Sequence, residues 1–533
     1  MRKTKNLIIL IIFVFFIFSL YISNMKKVYC SDGEWKRIIS DIYGGYINYF
    51  TINPTDSKTM YVITNNGIFI SKDSGVSWEY LGLSEYIINS IIIDNKNSNL
   101  IYVSTDGEGI LKSVDGGKNW EKMNDGLTIS NIDNVYIDPK DNNFIYAISW
   151  GGVYKSENKG KNWKKINEGL KSLRINKLVI DPLNTNILYL ATYGGVYKSI
   201  NQGENWLEIN NGIKDLVIND IDINKKDTNF LIIGTSSGIY ITNNNGTNWE
   251  FKENILSDIN VNVVKVDING ILYVGTLGNG VYKSIDFGEN FIEINDNLGD
   301  LRIKDLYIDN INQKILYTFT LGGEIYKFFP ILKIETKVGE GGIINPQGII
   351  NVKFGESQKF NITPFKGYKI KDVIIDGKSF GEINIYTFEY VVDNHIIEVK
   401  FLKQIILELQ IGNNIMYVND IPKEIDVPPT IIEGRTLLPI RWVAEPLGAS
   451  IGWDANEKKV TVSLKDTIIE LWIGKNVARV DGVDTPIDPN NPKVVPMIIQ
   501  GRTMLPVRFV AENLGSLVNW YPITKKVTII YPK

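Results

Sequence analysis

The chain has one cysteine and one histidine in 533 residues. Cys30 has no partner for an intrachain disulfide, so hydrophobic cores must carry the stability. A single His395 leaves histidine acid–base chemistry and His-rich metal centres almost without ligands, and no metal or cofactor is expected. Charge of either sign is also scarce in excess, with 57 Lys+Arg against 60 Asp+Glu and a net charge of −3. That balance argues against nucleic acid or an anionic membrane as a general partner. Long apolar runs are confined to one place, LIILIIFVFFIFSLYI at 7–22.

That run is shorter than the ~20 residues of a comfortable membrane span. It follows the basic start MRKTKN and precedes SNMKKVYC, where Val28 and Cys30 stand at the −3 and −1 positions of a cleavage site before Ser31. Residues 1–30 therefore read as a secretory signal peptide, with no membrane association expected beyond it. The segment holds five basic residues and no acidic one, so the remaining chain has 52 basic against 60 acidic residues, a net charge of −8. About five hundred residues are too many for one core, and several domains are expected.

What the sequence has in abundance is a repeat. SKDSGVSW starts at Ser71, SVDGGKNW at Ser113, SENKGKNW at Ser156, SINQGENW at Ser199, TNNNGTNW at Thr242 and SIDFGENF at Ser284. The intervals are 42, 43, 43, 43 and 42 residues. Between them lie an Asn-rich apolar run, a second run such as ILYLAT, a Gly-Gly turn, and GVYKS. Four short strands per period joined by turn residues is the grammar of a propeller blade. Trp35 in GEWKRI stands where Trp78, Trp120, Trp163, Trp206, Trp249 and Phe291 stand in the other copies. Only three strands follow Phe291, so GEWKRI supplies the missing fourth, which gives seven blades and closes the ring without an open edge.

The SxDxGxxW motif resembles the Asp-box of the BNR-repeat propellers: sialidases, sortilin-type receptors, xyloglucanases and relatives of the photosystem II assembly factor. The resemblance covers about 31–330. Within the motif, three copies carry Asp73, Asp115 and Asp286 and the other three carry Asn158, Asn201 and Asn244. A metal ligand or acid catalyst would lose its charge in the Asn copies, whereas a turn acceptor would not, so the boxes read as structural. The resemblance places them opposite the functional mouth. The mouth is then built from the hairpins joining second to third strands and from the segments leading into the first strands. Asp106, Glu108, Trp150, Tyr193 and Leu277 are its uncommon hairpin residues, with Arg174 and Arg302 beside them. Trp150, Tyr193 and Arg174 suit stacking on a sugar ring or gripping an extended peptide.

Sialidase chemistry in that family needs three arginines around the substrate carboxylate. The propeller has Arg37, Arg174 and Arg302, and Arg37 falls on an outermost strand. Asp106 and Glu108 could serve as a glycosidase pair, although the xyloglucanases use two propellers. The expectation is a binding protein with no catalytic residue; the alternatives are a polysaccharide hydrolase and an envelope assembly factor.

After Pro330 the period stops. Residues 331–403, including GGIINPQGIINVKFGESQKFNITPFKGYKIKDVIIDGKSFG, resemble the internalin-type B-repeat, a small β module of bacterial surface proteins. Residues 404–533 hold a second duplication, EGRTLLPIRWVAEPLGASIGWDANEKKVTV against QGRTMLPVRFVAENLGSLVNWYPITKKVTI. Each half predicts a Thr-capped helix, Leu437 to Leu447 and Met504 to Leu514. This module resembles the copper amine oxidase N-terminal domain, but with no histidine in it neither copper nor oxidase activity follows. The fold class expected is mainly β: a seven-bladed propeller, a small all-β module and a duplicated α+β module. The role expected is that of a secreted or cell-wall-associated protein whose partner is an envelope glycan or surface protein.

Overall fold

A computed structural model describes residues 32–38 and 47–533. The expected signal peptide lies outside the described residues. The chain divides into two compact units at Ile331/Leu332.

The first unit is a seven-bladed propeller. Six four-stranded antiparallel sheets follow in chain order, of which blade four is Ile175–Ile180, Leu188–Thr192, Gly195–Ser199 and Leu207–Glu208. The two middle strands of each blade are sandwiched between neighbouring blades. Leu188–Thr192 is buried at every position, as an unbroken apolar run requires. Blade seven takes Ile303–Ile308, Leu316–Thr320 and the start of Ile325–Val338, and its fourth strand is Gly33–Arg37, paired Trp35 to Phe328. The ring closes as the repeat count requires.

One contact recurs at the seams. The indole N–H of Trp163 donates to the Met123 carbonyl of the preceding blade at 2.8 Å, Trp206 to Ile166 at 2.8 Å, and Trp249 to Ile209 at 2.9 Å. Trp35 repeats it across the closure, donating to Ile294 at 2.5 Å. The backbone N–H of each docks as well, to Asp125, Glu168, Asn211 and Asp296 respectively. The backbone comes so close there that a Cβ on Gly169 would stand 2.2 Å from the Trp206 carbonyl oxygen. Only glycine fits, and its φ of +90° favours glycine too. The first seams depart from the pattern. Trp78 turns its N–H to its own Gly75 at 3.2 Å, and the Trp120 nitrogen is buried without a partner among the described residues.

Within the second unit, Leu332 to Lys403 form two small sheets. The later part of Ile325–Val338 runs parallel to His395–Lys403, which pairs antiparallel with Tyr368–Ile375. Gly342–Asn345, Gln358–Pro364 and Ile385–Phe388 make the second sheet, and Phe360, Val373, Phe388 and Ile397 share one core. His395 is a strand residue whose ring stacks on Phe388 at 4.6 Å while Nδ1 meets Asp376 at 2.7 Å.

The duplicated module is interlocked rather than two halves in a row. One five-stranded sheet joins Ser450–Asp454 and Lys459–Leu464 to strands between Thr467 and Pro486; the other joins Ile405–Gln410 to Lys526–Tyr531. Between them Arg435–Pro439 pairs with Arg502–Pro506 about a local two-fold at Leu438↔Leu505. The predicted helices are corrected: they span only Arg441–Ala444 and Val507–Asn513, and neither N-cap makes a side-chain hydrogen bond. Pro439 and Pro506 hold the preceding residues extended, so Thr436 and Thr503 lie in strands. Pro446 then stops the first helix early, where the second has Asn513.

Trp206→Ala empties a seam and breaks a buried hydrogen bond, so a loss of ~3–5 kcal/mol is expected in denaturant unfolding. Trp78→Ala, at a half-exposed site whose indole bonds to its own loop, is expected to lose less than half of that. Equal losses would refute the seam assignment.

Candidate functional site

The loops of the ring are tied in two separate sets. On one face the Asp-box loops bond to the loops joining first to second strands, through Lys159 N–H to Asn143 at 3.0 Å, Gln202 to Asn186 at 2.9 Å and Asn245 to Asn229 at 3.0 Å. On the other, hairpins between second and third strands bond to segments leading into first strands: Tyr193 N–H to Arg174 at 3.1 Å, Leu277 to Asn260 at 3.1 Å and Leu321 to Arg302 at 2.8 Å. Asp106, Glu108, Trp150, Tyr193, Leu277, Arg174 and Arg302 all belong to this second set.

The Asp-box chemistry is spent inside each turn. Asp73 Oδ1 accepts the Ser77 N–H at 2.9 Å and the Ser71 hydroxyl at 2.8 Å, and Ser71 accepts the Gly75 N–H at 2.8 Å. In the Asn copies Asn158 Oδ1 takes the same bonds. The second side-chain atom then reverses its role. Asp115 Oδ2 accepts from the Asn119 amide at 2.6 Å, whereas the Asn158 amide donates to Asn162 at 3.0 Å. The Ser77 and Asn119 side chains, helped by backbone N–H groups, hold the Asp73 and Asp115 carboxyls at about 2.

Three of the mouth residues converge. The Arg174 guanidinium lies 3.6 Å from the centre of the Tyr193 ring and 5.1 Å from that of Trp150. Trp150 is 72% exposed and Tyr193 40%. No carboxylate among the described residues forms an ion pair with Arg174. The result is an exposed cation held between two aromatic faces contributed by adjacent blades. The remaining mouth residues stay apart. Glu108 meets Lys122 of the outermost strand at 2.5 Å, Arg302 pairs with Asp300 at 2.9 Å across the ring on blade seven, and Arg37 pairs with Glu324 at 3.1 Å. The three arginines do not assemble.

Two features escape a sequence reading. The first is a charged lining of the central channel on the first strands. Lys265 Nζ lies 3.1 Å from Asp220 and 3.6 Å from Asp305, and Lys177 lies 4.0 Å from Asp220. Burial alone would lower both amines, but Asp220 and Asp305 outweigh it and hold them above the usual lysine range. Burial would likewise raise Asp305, but Lys265 and Lys177 hold it down.

The second is a set of donors between blades whose pattern Asp133 breaks. In six blades the first strand bulges at one residue: Asn48, Asn89, Asn176, Asn219, Asn262 or Lys304. In five of them the bulge aims that side chain at the next blade, whereas the Asn48 amide turns to Asn65 of its own blade at 2.6 Å. Asn176 donates to Ile218 O at 2.7 Å, Asn219 to Val261 O at 2.8 Å, Asn89 to Ile132 O at 2.9 Å, and Lys304 to Asn48 O at 2.8 Å. Blade three places Asp133 there, beside the strand Asn134–Ile137. An ionised carboxylate cannot donate, and its Oδ2 is buried without a partner among the described residues. Burial, then the charge of Asp106, push the Asp133 carboxyl up to about 6.

A family model described as "Copper amine oxidase N-terminal domain" matches residues 378–449 and 417–529. The first of these begins inside the 331–403 stretch expected to resemble a B-repeat, a resemblance that no family match supports. A second family, "Sortilin, neurotensin receptor 3,", matches 151–267, blades three to six. No curated protein matches. Among solved structures, YCF48 from Cyanidioschyzon merolae is 16% identical with a TM-score of 0.45, covering 55% of this chain and 98% of that one. The GH74 xyloglucanase from Xanthomonas campestris is 11% identical with a TM-score of 0.46, over 94% and 100% of the two chains. The Niastella koreensis GH74 enzyme is 14% identical with a TM-score of 0.46, over 86% and 74%. These likenesses add nothing to what the sheet order already shows about the fold.

Asp133→Asn supplies the missing donor and removes a buried charge. A carboxyl raised in the folded state ionises first in the unfolded chain, so stability falls as pH rises from about 4 to about 6 and stays low above it. Because Asp133 is only half-buried, solvent screening cuts the effect, and the variant is expected to gain on the order of 1 kcal/mol at pH 7. Little gain is expected at pH 4. A gain independent of pH in thermal melts would refute the assignment.

Proposed function

We propose that this chain is an exported, non-catalytic cell-envelope protein whose propeller mouth binds a glycan or a surface protein, while the C-terminal modules attach or space it at the cell surface. The observation that carries the reading is the Trp150–Arg174–Tyr193 cluster. Large apolar faces exposed beside an unpaired guanidinium are costly to leave in water, and they match a ring or chain that offers both a flat face and polar edges. Export rests on the signal-like residues 1–30, and the surface role on the small β module and the copper amine oxidase-type module. The internalin-type resemblance of 331–403 belongs to the same reading.

The second reading, a polysaccharide hydrolase, is favoured by one observation. Asp133 holds its proton to about 6 and feels the charge of Asp106. A carboxyl that keeps its proton toward neutral pH can serve as the general acid in cleavage of a glycosidic bond.

Glycan-array and isolated-envelope binding of the chain lacking residues 1–30 separates the two. Saturable retention, lost in Trp150→Ala with Tyr193→Ala, is the expected result; unchanged retention in that double variant removes the cluster as the site. Release of reducing ends from any arrayed polysaccharide, abolished by Asp133→Asn, would establish the hydrolase instead.

A further inference from the structure

Among the exposed or half-buried side chains that the two halves of the duplicated module share are three pairs: Arg435 with Arg502, Arg441 with Arg508, and Trp453 with Trp520. None of the six is fully buried, although Trp520 also packs against the module's core. All six line two cavities. One takes Arg435 from the first half with Arg508 and Trp520 from the second. The other takes Arg502 from the second half with Arg441 and Trp453 from the first. The clefts are therefore copies of one site related by the two-fold at Leu438↔Leu505, and each is completed only by the opposite half.

The copies are not equally open. In the second cleft the Trp442 indole donates to Asp426 at 2.9 Å and lies under Lys423, and the cavity is about 180 Å³. In the first, Phe509 replaces that indole, and the cavity is about 700 Å³. A longer loop also forms its wall: Asp488 stands 14 residues before Arg502, whereas Asp426 stands 9 before Arg435. The loop is pinned by the Asn491 amide, which donates to Glu433 O at 2.8 Å.

Charge decides the class of ligand. In the larger cleft Arg435 Nε lies 2.6 Å from Asp488 and Arg508 Nε lies 3.6 Å from Glu512, so two cations face two carboxylates; no lysine lines it. A site for phosphate, nucleic acid or an anionic lipid would leave cationic charge unmatched. This lining instead offers donors and acceptors without net charge around a Trp face, in a volume typical of small-ligand pockets. We propose that the Arg435–Asp488–Trp520 cleft binds a neutral oligosaccharide, its pyranose face against Trp520 and its hydroxyls to the ion-paired side chains. The occluded Trp442 cleft is its closed counterpart. The site is distinct from the propeller mouth and stands or falls apart from it.

The test is calorimetric titration of the chain lacking residues 1–30, carrying Trp150→Ala and Tyr193→Ala so that the propeller mouth is silent. Cellohexaose and chitohexaose are the neutral probes and hexagalacturonate the anionic one. One saturable site for a neutral hexasaccharide is expected, weakened about tenfold or more by Trp520→Ala, as loss of an aromatic face implies. Asn490→Ala, on the exposed loop lining the cleft, is expected to weaken binding without disturbing the fold. Absence of binding to both neutral probes, binding unchanged in both cleft variants, or tighter binding of hexagalacturonate would each overturn the proposal.

Discussion

The propeller depends on one two-point contact, in which a tryptophan at the start of a fourth strand docks onto the blade before it. The indole fills the seam and its N–H reaches a backbone carbonyl there, while the backbone N–H of the same residue finds a second. A sheet four strands wide cannot bury its faces alone, so each blade is stable only against its neighbours. The tryptophan converts that general need into a fixed distance and angle. Trp35 makes the same contact as Trp163, Trp206 and Trp249, so the closure is chemically a seam like the others.

At the inner end of five blades the bulged side chain, asparagine in four and Lys304 in the fifth, does a parallel job by donating to the next blade. The hairpins of the mouth are tied through their backbones to the segments leading into first strands, which leaves their side chains free to vary. Departures from the repeat gather there on neighbouring blades. Asp133 breaks the donor pattern in blade three, Asp106 stands before it in blade two, and the aromatic–guanidinium cluster joins blades three and four. Repeats that are interchangeable as scaffold become individual where they face solvent.

The period of the Asp-box and the position of Trp35 were enough to count blades and find the closing strand, because every blade solves the same packing problem with the same residues. The Asn copies point to the boxes as turns, and the side-chain bonds of Asp73, Asp115 and Asn158 stay within their own loops. The meeting of Trp150, Arg174 and Tyr193 followed from knowing which loops share a face. What could not be read were relations between blades. Asp133 is one acid among many until the set of Asn89, Asn176, Asn219 and Asn262 gives it a place. Lys177 and Lys265 look like ordinary surface lysines until curvature brings their strands together. The short helices of the duplicated module were over-extended because apolar spacing outweighed Pro439, Pro446 and Pro506, which break helical hydrogen bonding whatever the hydrophobic pattern. The swapping of strands between the two halves leaves no local mark at all.

The shared seventh blade also sets how the chain must come together. The Trp163, Trp206 and Trp249 seams join residues 40 apart in sequence, whereas Trp35 and Ile294 are 259 apart. For a flexible chain the entropy of closing a loop grows only with the logarithm of its length, so the long closure costs roughly 1.7 kcal/mol more than a short one. That difference is small beside the burial of one tryptophan, yet the contact cannot form until nearly all of the propeller has been made. The clasp is therefore cheap at equilibrium and late in time. Gly33–Arg37, the first strand to emerge, is the last to find its place, and the ring locks only when blade six and blade seven are ready to receive it.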